Sequence, residues 1–293
     1  MTQVVPDRAL VRALLQEQHP DLAGLSLTEV EGGWDNRQWR LGDQLAVRLP
    51  VSDRAPGLLQ EEQDWLPTLA TGLPLPVPVP LRQGAPSELF DRAWAIVRWV
   101  EGQPADRAAV TSTGAATVLA RFLDALHRPA PVDAPVNPPR GLPLDQAGPV
   151  DGWFELIADH PYRHRLRDLW TAAVGAPAWT GPPLWLHGDL HPANVVTRAG
   201  CLAGVLDFGD LCAGDPAWDA SAAWVLLPHG AAEPFFAAYP HTDDALVTRA
   251  RGWAVLRALA LIQVGQNGRH RLPGGKPTWE PAGYAALERV LDH

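Results

Sequence analysis

The sequence has very little cysteine and almost no lysine. Cys201 and Cys212 are its two cysteines, without the spacing of a metal cluster, which fits a reducing compartment and gives no zinc signal. Lys276 is the only lysine among 24 basic residues, so nearly every cation is an arginine. No apolar run reaches the ~18 residues of a membrane span, and the first ten residues lack the apolar stretch of a secretion signal. We therefore expect a soluble cytoplasmic protein that makes no membrane contact.

Basic residues are also outnumbered by acidic ones. The 33 acids and 24 bases leave a formal charge of -9, which opposes binding to a phosphate backbone and makes nucleic acid a poor partner. With 293 residues, 46% of them hydrophobic, the chain can bury a sizeable core without disulfide or metal cross-links. This length allows one large domain or two modest ones.

Strand-like and helix-like patterns are segregated along the chain, which predicts an α+β protein. Short alternating runs dominate the first hundred residues. The elements predicted there are a helix at Arg8–Gln18, strands at Ser26–Val30, Arg37–Leu41 and Gln44–Leu49, a helix at Leu58–Leu66 that Pro67 should limit, an extended proline-rich path over 74–80, and a strand at Ala93–Val100.

Longer helical patterns follow in the remaining two thirds. The predicted helices are Thr111–His127, Asp151–Val174 with a break at Pro161, Ala217–Leu227, Thr248–Gly265 and Tyr284–Leu291, and the predicted strands are Leu184–His187 and Leu202–Asp207. Seven prolines lie between Arg128 and Val150, which argues against helix or sheet there. No fold is assigned to that segment.

The densest polar cluster of the chain lies between the last two predicted strands. It is the loop HGDLHPAN at 187–194, and DFGD at 207–210 begins thirteen residues after its end. An H-x-D-x-x-x-x-N loop followed by D-F-G is the active-site pattern of protein-kinase-like enzymes. Together with GDPA at 214–217, the pattern resembles the aminoglycoside phosphotransferase family of small-molecule kinases.

This resemblance implies a protein-kinase-like fold of two lobes with the active cleft between them. Residues 1–100 would form a nucleotide-binding lobe built on a small antiparallel sheet. Residues 101–293 would form a larger, mainly helical lobe that carries the catalytic loop and binds the acceptor. Both lengths are ordinary for domains.

The resemblance also assigns roles to the polar cluster. Phosphoryl transfer needs one carboxylate near the attacking hydroxyl and oxygen ligands for the magnesium that bridges the phosphates. Asp189 would orient the acceptor hydroxyl and accept its proton, while Asn194 and Asp207 would ligate Mg²⁺. His187 would stabilise the loop by hydrogen bonding. Asp215 and Asp219 resemble family positions that support the second lobe through helix-capping hydrogen bonds.

The segment from Glu31 to Asn36 connects two predicted strands, where a nucleotide-covering loop lies in kinase-like proteins. Gly33 and Asn36 are its candidate nucleotide contacts, and Gly32 precedes them. The segment is not a full G-x-G-x-x-G, and a plain hairpin turn would explain its glycines nearly as well.

Arg48 stands where the resemblance calls for a strand lysine that contacts the nucleotide phosphates and pairs with a helix glutamate. Glu62 is its preferred partner and Glu61 the alternative, and an ordinary exposed strand residue is the competing interpretation of Arg48. By resemblance, backbone groups near Arg98 and Val100 would recognise the nucleobase, although this strand could equally be plain core.

The sequence thus predicts a Mg²⁺-dependent enzyme that moves the γ-phosphate of ATP or GTP to a hydroxyl of a small molecule. An aminoglycoside or another antibiotic, and so a cationic acceptor, is one candidate. The alternatives are a kinase for a choline-like alcohol, a sugar or a nucleoside, and a catalytically silent protein that binds a nucleotide or an antibiotic. A protein kinase fits less well, because the segment after Gly209 is short and no Ala-Pro-Glu follows.

Overall fold

The computed structural model describes residues 6–31 and 33–292, which divide into two compact units. The first unit contains the described residues up to Thr71, together with Pro76–Val100 and Leu206–Gly209. The second contains Gly72–Leu75, Glu101–Val205 and 210–292. Asp207 therefore belongs to the first unit, whereas the 187–194 loop belongs to the second.

The first unit is an antiparallel sheet with two helices. Its elements are α1 (Arg8–Gln18), β1 (Leu27–Val30), β2 (Asn36–Leu41), β3 (Leu45–Pro50), α2 (Ala55–Leu69), β4 (Pro80–Gly84) and β5 (Trp94–Arg98). The strands lie in the order β1-β2-β3-β5-β4, and every neighbouring pair is antiparallel. The first helix begins where the side chain of Asp7 accepts a hydrogen bond from the amide of Leu10, at 2.8 Å.

The alternation of side chains along β3 places its residues on two different faces of the sheet. Val47 and Leu49 belong to a core with Val11 and Leu14 of α1, whereas Ala46 packs with Leu59 of α2. Because side chains two residues apart share a face, Arg48 lies on the α2 side together with Ala46. The sheet thus turns the one basic residue of this strand toward the helix that carries the glutamates.

Two predictions for this unit need correction. The limit predicted at Pro67 is wrong: α2 continues through it to Leu69, because a proline in the last turn removes only the hydrogen bond to the carbonyl of Gln63. The proline-rich path ends in a strand, β4, that was not predicted. It forms the edge of the sheet beside β5, with a register shift between Pro80 and Arg82.

The second unit is mainly helical. Its elements are β6 (Gln103–Pro104), α3 (Ala115–Leu126), α4 (Asp151–Glu155), α5 (Arg163–Val174), β7 (Leu184–Leu186), β8 (Val195–Arg198), β9 (Cys201–Val205), β10 (Cys212–Gly214), α6 (Ala217–Ala220), α7 (Ala222–Val225), α8 (Ala232–Ala238), α9 (Asp244–Arg269) and α10 (Trp279–Leu291). Strands β7 and β10 pair antiparallel, and β6, β8 and β9 form a second small sheet. The 187–194 loop joins β7 to β8.

Helix α9 is the centre of this unit. It packs against α5, α6 and α10, and residues on all its sides are buried, including Arg249 and Arg257. The single helix predicted over 217–227 is two short helices, because the hydroxyl of Ser221 donates to the carbonyl of Trp218 at 2.6 Å and competes with the regular helix bonds. No helix in the described part of the chain has the length and apolar character needed to cross a membrane.

Candidate active site

The 187–194 loop turns sharply at its second residue. Gly188 has a φ of +80°, and a Cβ there would lie 2.2 Å from the backbone oxygen of Asp210, so the turn requires glycine. The side chain of Asp219 accepts the amides of His187 at 2.6 Å and Gly188 at 3.1 Å. Asp219 therefore fixes the backbone of the loop itself and does not cap a helix, which corrects the expectation for this residue.

A buried network stabilises Asp219 in turn. His127 lies 3.3 Å from its Oδ2 through Nε2, and the other ring nitrogen of His127 contacts the hydroxyl of Tyr239. Burial alone would raise the pKa of Asp219, but the bonds to His127 and the nearby cations hold that pKa below its usual range. The carboxylate consequently stays charged and keeps both loop amides.

Asp189 is held by contacts to each of its carboxylate oxygens. Oδ2 lies 3.1 Å from the donor Nδ2 of Asn194 and 3.2 Å from Nε2 of His191, while Oδ1 lies 3.5 Å from Nη2 of Arg140. The side chain remains 30% exposed, so a ligand can reach it. Burial would raise the pKa of Asp189, but His191, Arg140 and Arg257 hold it well below the usual range.

The depressed pKa defines the chemistry that Asp189 can perform. The group is an anion at every working pH and is a weak base, so it suits orienting a hydroxyl and taking its proton late in the reaction. His187, fully buried, accepts the amide of Asp189 at its Nδ1, at 3.1 Å. This hydrogen bond joins the side chain of His187 to the backbone of the loop.

Asn194 presents an oxygen for a cation. Its Nδ2 is used by two acceptors of Asp189, the backbone oxygen at 3.0 Å and the carboxylate Oδ2 at 3.1 Å. In this amide orientation the side-chain oxygen is the atom that could hold a cation. Hard oxygen donors of this kind suit Mg²⁺.

The first unit carries a second polar group around Arg48. Its Nη1 donates to Oε2 of Glu62 at 2.5 Å, and its Nη2 lies 3.6 Å from Oδ1 of Asp207. The side chain of Arg48 is 4% exposed and that of Glu62 is fully buried, whereas that of Asp207 is 50% exposed. The structure thus brings together Arg48 and Glu62, the preferred partner.

The buried ion pair of Arg48 and Glu62 leaves part of its hydrogen-bonding capacity unused. Burial raises the pKa of Glu62 to about 7 although Arg48 works in the opposite direction, and burial lowers the pKa of Arg48 less than Glu62 and Asp207 raise it. Among the described residues, neither Oε1 of Glu62 nor Nε of Arg48 has a hydrogen-bond partner. Arg48 has one guanidinium nitrogen on Glu62 and a second directed to Asp207.

Asp207 has a backbone conformation that is rare for aspartate. Its φ is +60°, and the phenyl ring of Phe208 that follows is fully buried. Within residues 6–31 and 33–292 no group of three or more His, Cys, Asp or Glu side chains could hold a metal ion alone. The carboxylate oxygens of Asp207 are donors of the kind that Mg²⁺ takes where one or two protein side chains hold it together with nucleotide phosphates.

Asp35 binds the segment before β2 to the residues that precede α2. Its carboxylate accepts the hydroxyl of Ser52 at 2.5 Å and a two-pronged ion pair from Arg54, with Nη2 at 2.7 Å. Gly33 is exposed, with open space where a Cβ would be, whereas Asn36 is buried. Gly32 lies outside the described residues.

The two predicted nucleobase positions lie at the end of β5. The amide of Arg98 donates to the carbonyl of Val79 at 2.9 Å, so this amide belongs to the sheet. Val100 is buried and follows the strand. Because the amide of Arg98 is already bonded, the groups that could still contact the base are the carbonyl of Arg98 and the backbone of Val100.

Sequence reasoning did not find the cations around Asp189. Arg140 comes from the proline-rich segment to which no fold was assigned, and Arg257 reaches the carbonyl of Leu190 from α9. Neither arginine lies in a motif. The one available signal was Asp210, an acid directly after Asp-Phe-Gly, which the structure pairs with Arg140 at 3.0 Å.

These observations define a class of protein. An antiparallel unit with a buried cation–glutamate pair and an Asp-Phe-Gly aspartate, and a helical unit with a catalytic-type loop, make up a protein-kinase-like α+β phosphotransferase. The family model of the phosphotransferase enzyme family matches residues 26–259, and the chain belongs to that family.

Solved structures of phosphotransferases share this fold. The GDP complex of wild-type aminoglycoside 2′-phosphotransferase-IIIa is similar with a TM-score of 0.69 at 20% identity, over 98% of this chain and 99% of that one. A GDP and kanamycin complex of APH(2″)-IIIa gives 0.67 at 21% identity, over 96% and 98%. Macrolide 2′-phosphotransferase MphH from Brachybacterium faecium gives 0.59 at 21% identity, over 94% and 97%. No curated protein sequence matches this one.

Proposed function

We propose that this phosphotransferase moves the γ-phosphate of ATP or GTP to a hydroxyl of a small antibiotic-like acceptor, with Asp189 as the group that receives the hydroxyl proton. The observation that carries the proposal is the geometry of Asp189. A partly exposed carboxylate is held by an amide, an imidazole and a guanidinium in the middle of a rigid loop.

The reaction uses Asp189 for position more than for basicity. The hydroxyl oxygen forms a bond to the γ-phosphorus as the bond from that phosphorus to the bridging oxygen breaks, and the nucleoside diphosphate leaves. The hydroxyl proton passes to the carboxylate of Asp189. Because the transition state is loose, a weak base in the correct place suffices.

Asn194 and Asp207 would hold Mg²⁺ through their side-chain oxygens. When bound, the ion supplies charge neutralisation for the phosphate oxygens. The half-exposed carboxylate of Asp207 and the oriented amide of Asn194 support this assignment.

Arg48 takes the place of the family's strand lysine in this proposal. Glu62 keeps its guanidinium in position, and the nitrogen directed to Asp207 is the one that would meet the nucleotide phosphates. Gly33 and Asn36 would border the phosphates, and backbone groups of Arg98 and Val100 would contact the base. A cytoplasmic location, where nucleoside triphosphates occur and free thiols such as Cys201 and Cys212 persist, belongs to the same proposal.

The acceptor class is supported by what the similar structures contain. One of them is a kanamycin complex and another is a macrolide phosphotransferase. The net charge of -9 is compatible with a cationic acceptor. A choline-like alcohol, a sugar and a nucleoside stay as the other acceptors to be tested.

The test is a mass-spectrometric screen of aminoglycosides, macrolides, nucleosides, sugars and amino alcohols with ATP or GTP. A product heavier by about 80 Da, the mass of one PO₃H unit, identifies the acceptor. We expect this product from an antibiotic, and its loss when EDTA removes Mg²⁺. A product from a metabolite alone would contradict the acceptor class, and nucleotide binding without any product would support the silent protein instead.

A further inference from the structure

The proline-rich segment 135–141 is ordered against the catalytic loop. The carbonyl of Pro135 accepts the amide of Ala213, and the carbonyl of Gly141 accepts the amide of Asp215, both at 2.9 Å. Gly141 has a φ of +68°, and a Cβ there would lie 2.9 Å from Cα of Gly214. The segment thus packs along β10, the strand that pairs with β7 just before the loop.

Arg140 leaves this segment and reaches three parts of the site. Its Nε donates to the carbonyl of Gly188 at 2.9 Å, its Nη2 donates to Oδ2 of Asp210 at 3.0 Å, and the same Nη2 lies 3.5 Å from Oδ1 of Asp189. Asn137 supports it by donating to the other oxygen of Asp210 at 2.8 Å. The guanidinium is therefore fixed from both sides.

The two oxygens of Asp189 are not equivalent in this arrangement. Oδ2 faces two donors, from His191 and Asn194, which use its two lone pairs. Among the described residues Oδ1 accepts no hydrogen bond, and Nη2 of Arg140 lies 3.5 Å from it. Oδ1 is the oxygen with acceptor capacity for a substrate hydroxyl.

We propose that Arg140 is a positioning residue for phosphoryl transfer, which fixes the rotation of the Asp189 carboxylate so that Oδ1 receives the acceptor hydroxyl. This inference rests on the proposed function. Nη2 of Arg140 binds Asp210 at the same time, so the guanidinium orients the carboxylate of Asp189 without forming a close ion pair with it. A full ion pair at Oδ1 would block the hydroxyl.

The same geometry determines where the proton goes. The hydroxyl proton passes to Oδ1 while the hydroxyl oxygen bonds to the γ-phosphorus and the nucleoside diphosphate departs. Without Arg140 the carboxylate would be held at Oδ2 alone, and because its terminal torsion is a soft one, Oδ1 could move out of position. Because misplacement of a reacting group by about 1 Å costs on the order of 10²-fold in rate, we expect a kcat effect of that size.

The test is a double-variant cycle with Arg140→Ala and Asp189→Asn, measured as phosphoryl transfer to the acceptor found in the screen. If Arg140 acts through Asp189, Arg140→Ala lowers kcat about 10²-fold in the wild-type chain but less than about 3-fold in the Asp189→Asn chain. Nucleotide KM stays unchanged. Arg165→Ala is the control, because Arg165 donates to a backbone carbonyl, that of Leu291, in the same unit and lies outside the site.

If Arg140→Ala does not fold, two variants with side chains longer than alanine at position 140 test the proposal instead. Arg140→Lys keeps a cation near Oδ1 and should restore at least a tenth of wild-type kcat, whereas Arg140→Met keeps the length without the charge and should not. Equal activity of these two variants would overturn the proposal, as would an equal loss from Arg140→Ala in both backgrounds. Absence of transfer by the wild-type chain would instead contradict the proposed function itself.

Discussion

Arg48 stands where the resemblance to small-molecule kinases predicts a lysine. The strand alternation puts it on the α2 face, where Glu62 binds one of its nitrogens and Asp207 lies near another. A lysine carries its three donors on one nitrogen, whereas a guanidinium spreads five donors over three nitrogens. Arginine therefore keeps the charge and lets separate nitrogens face Glu62 and the Asp-Phe-Gly aspartate.

Arg48→Ala should raise the KM for nucleotide at least tenfold and lower stability by about 3–5 kcal/mol, because it leaves a buried carboxylate unpaired. Nucleotide KM and thermal unfolding measure the two effects. The double variant Arg48→Met with Glu62→Gln separates them, since it removes both charges: stability should return while nucleotide KM stays high. An unchanged KM in Arg48→Ala would make Arg48 a structural residue.

Glu62 should make stability depend on pH in an unusual direction. Its pKa is about 7 in the folded chain and ordinarily 4.5, so the folded state binds the proton more tightly. Its contribution to stability is complete below about pH 4.5 and is lost as the pH rises through 7. The free energy of unfolding of the wild type, minus that of Glu62→Gln, should therefore fall between pH 5 and 8.

Denaturant unfolding at several pH values measures this difference. Asp64→Asn is the control, because it removes an exposed carboxylate from the same helix. A difference that rises with pH would show that the ion pair with Arg48 keeps Glu62 ionised throughout.

At the scale of elements, features set by local sequence patterns could be predicted, whereas features set by tertiary contacts could not. Helix α1 has the predicted bounds, since its cap and its apolar stripe are both local signals. The loop at 187–194 was likewise recognised from its own residues. Arg140 was not, because a proline-rich segment carries no periodicity, and its position comes from packing against β10.

The packing of the 135–141 segment gives a prediction at this scale. Gly141→Ala should lower stability and kcat together, because the new Cβ meets Leu186 at 2.7 Å and the backbone of Gly214 at 2.9 Å. Gly148→Ala is a matched control: its φ of +82° is equally left-handed, but nothing lies within 4 Å of its Cβ. Similar losses in both variants would show that backbone conformation alone is responsible.

At the scale of the whole molecule, each of the two units carries some of the candidate functional residues. The first unit supplies the buried cation pair and Asp207, and the second supplies Asp189 and Asn194. Asp189, Asn194 and Asp207 could be named from the sequence because they lie in motifs. Arg140 and Arg257 could not, since they contribute through contacts across long sequence separations, and Asp219 was named with a different role.

Asp189 is the residue on which the proposed mechanism depends most, and Asp189→Asn tests its role most directly. The variant keeps the shape of the side chain but removes the charge that orients the hydroxyl and accepts its proton. Transfer of γ-phosphate to the acceptor should fall by about 10³-fold or more, while the Kd for the nucleotide, measured by calorimetry, stays within a factor of about three. Transfer at the wild-type rate by Asp189→Asn would contradict the assignment of the catalytic carboxylate and, with it, the proposed mechanism.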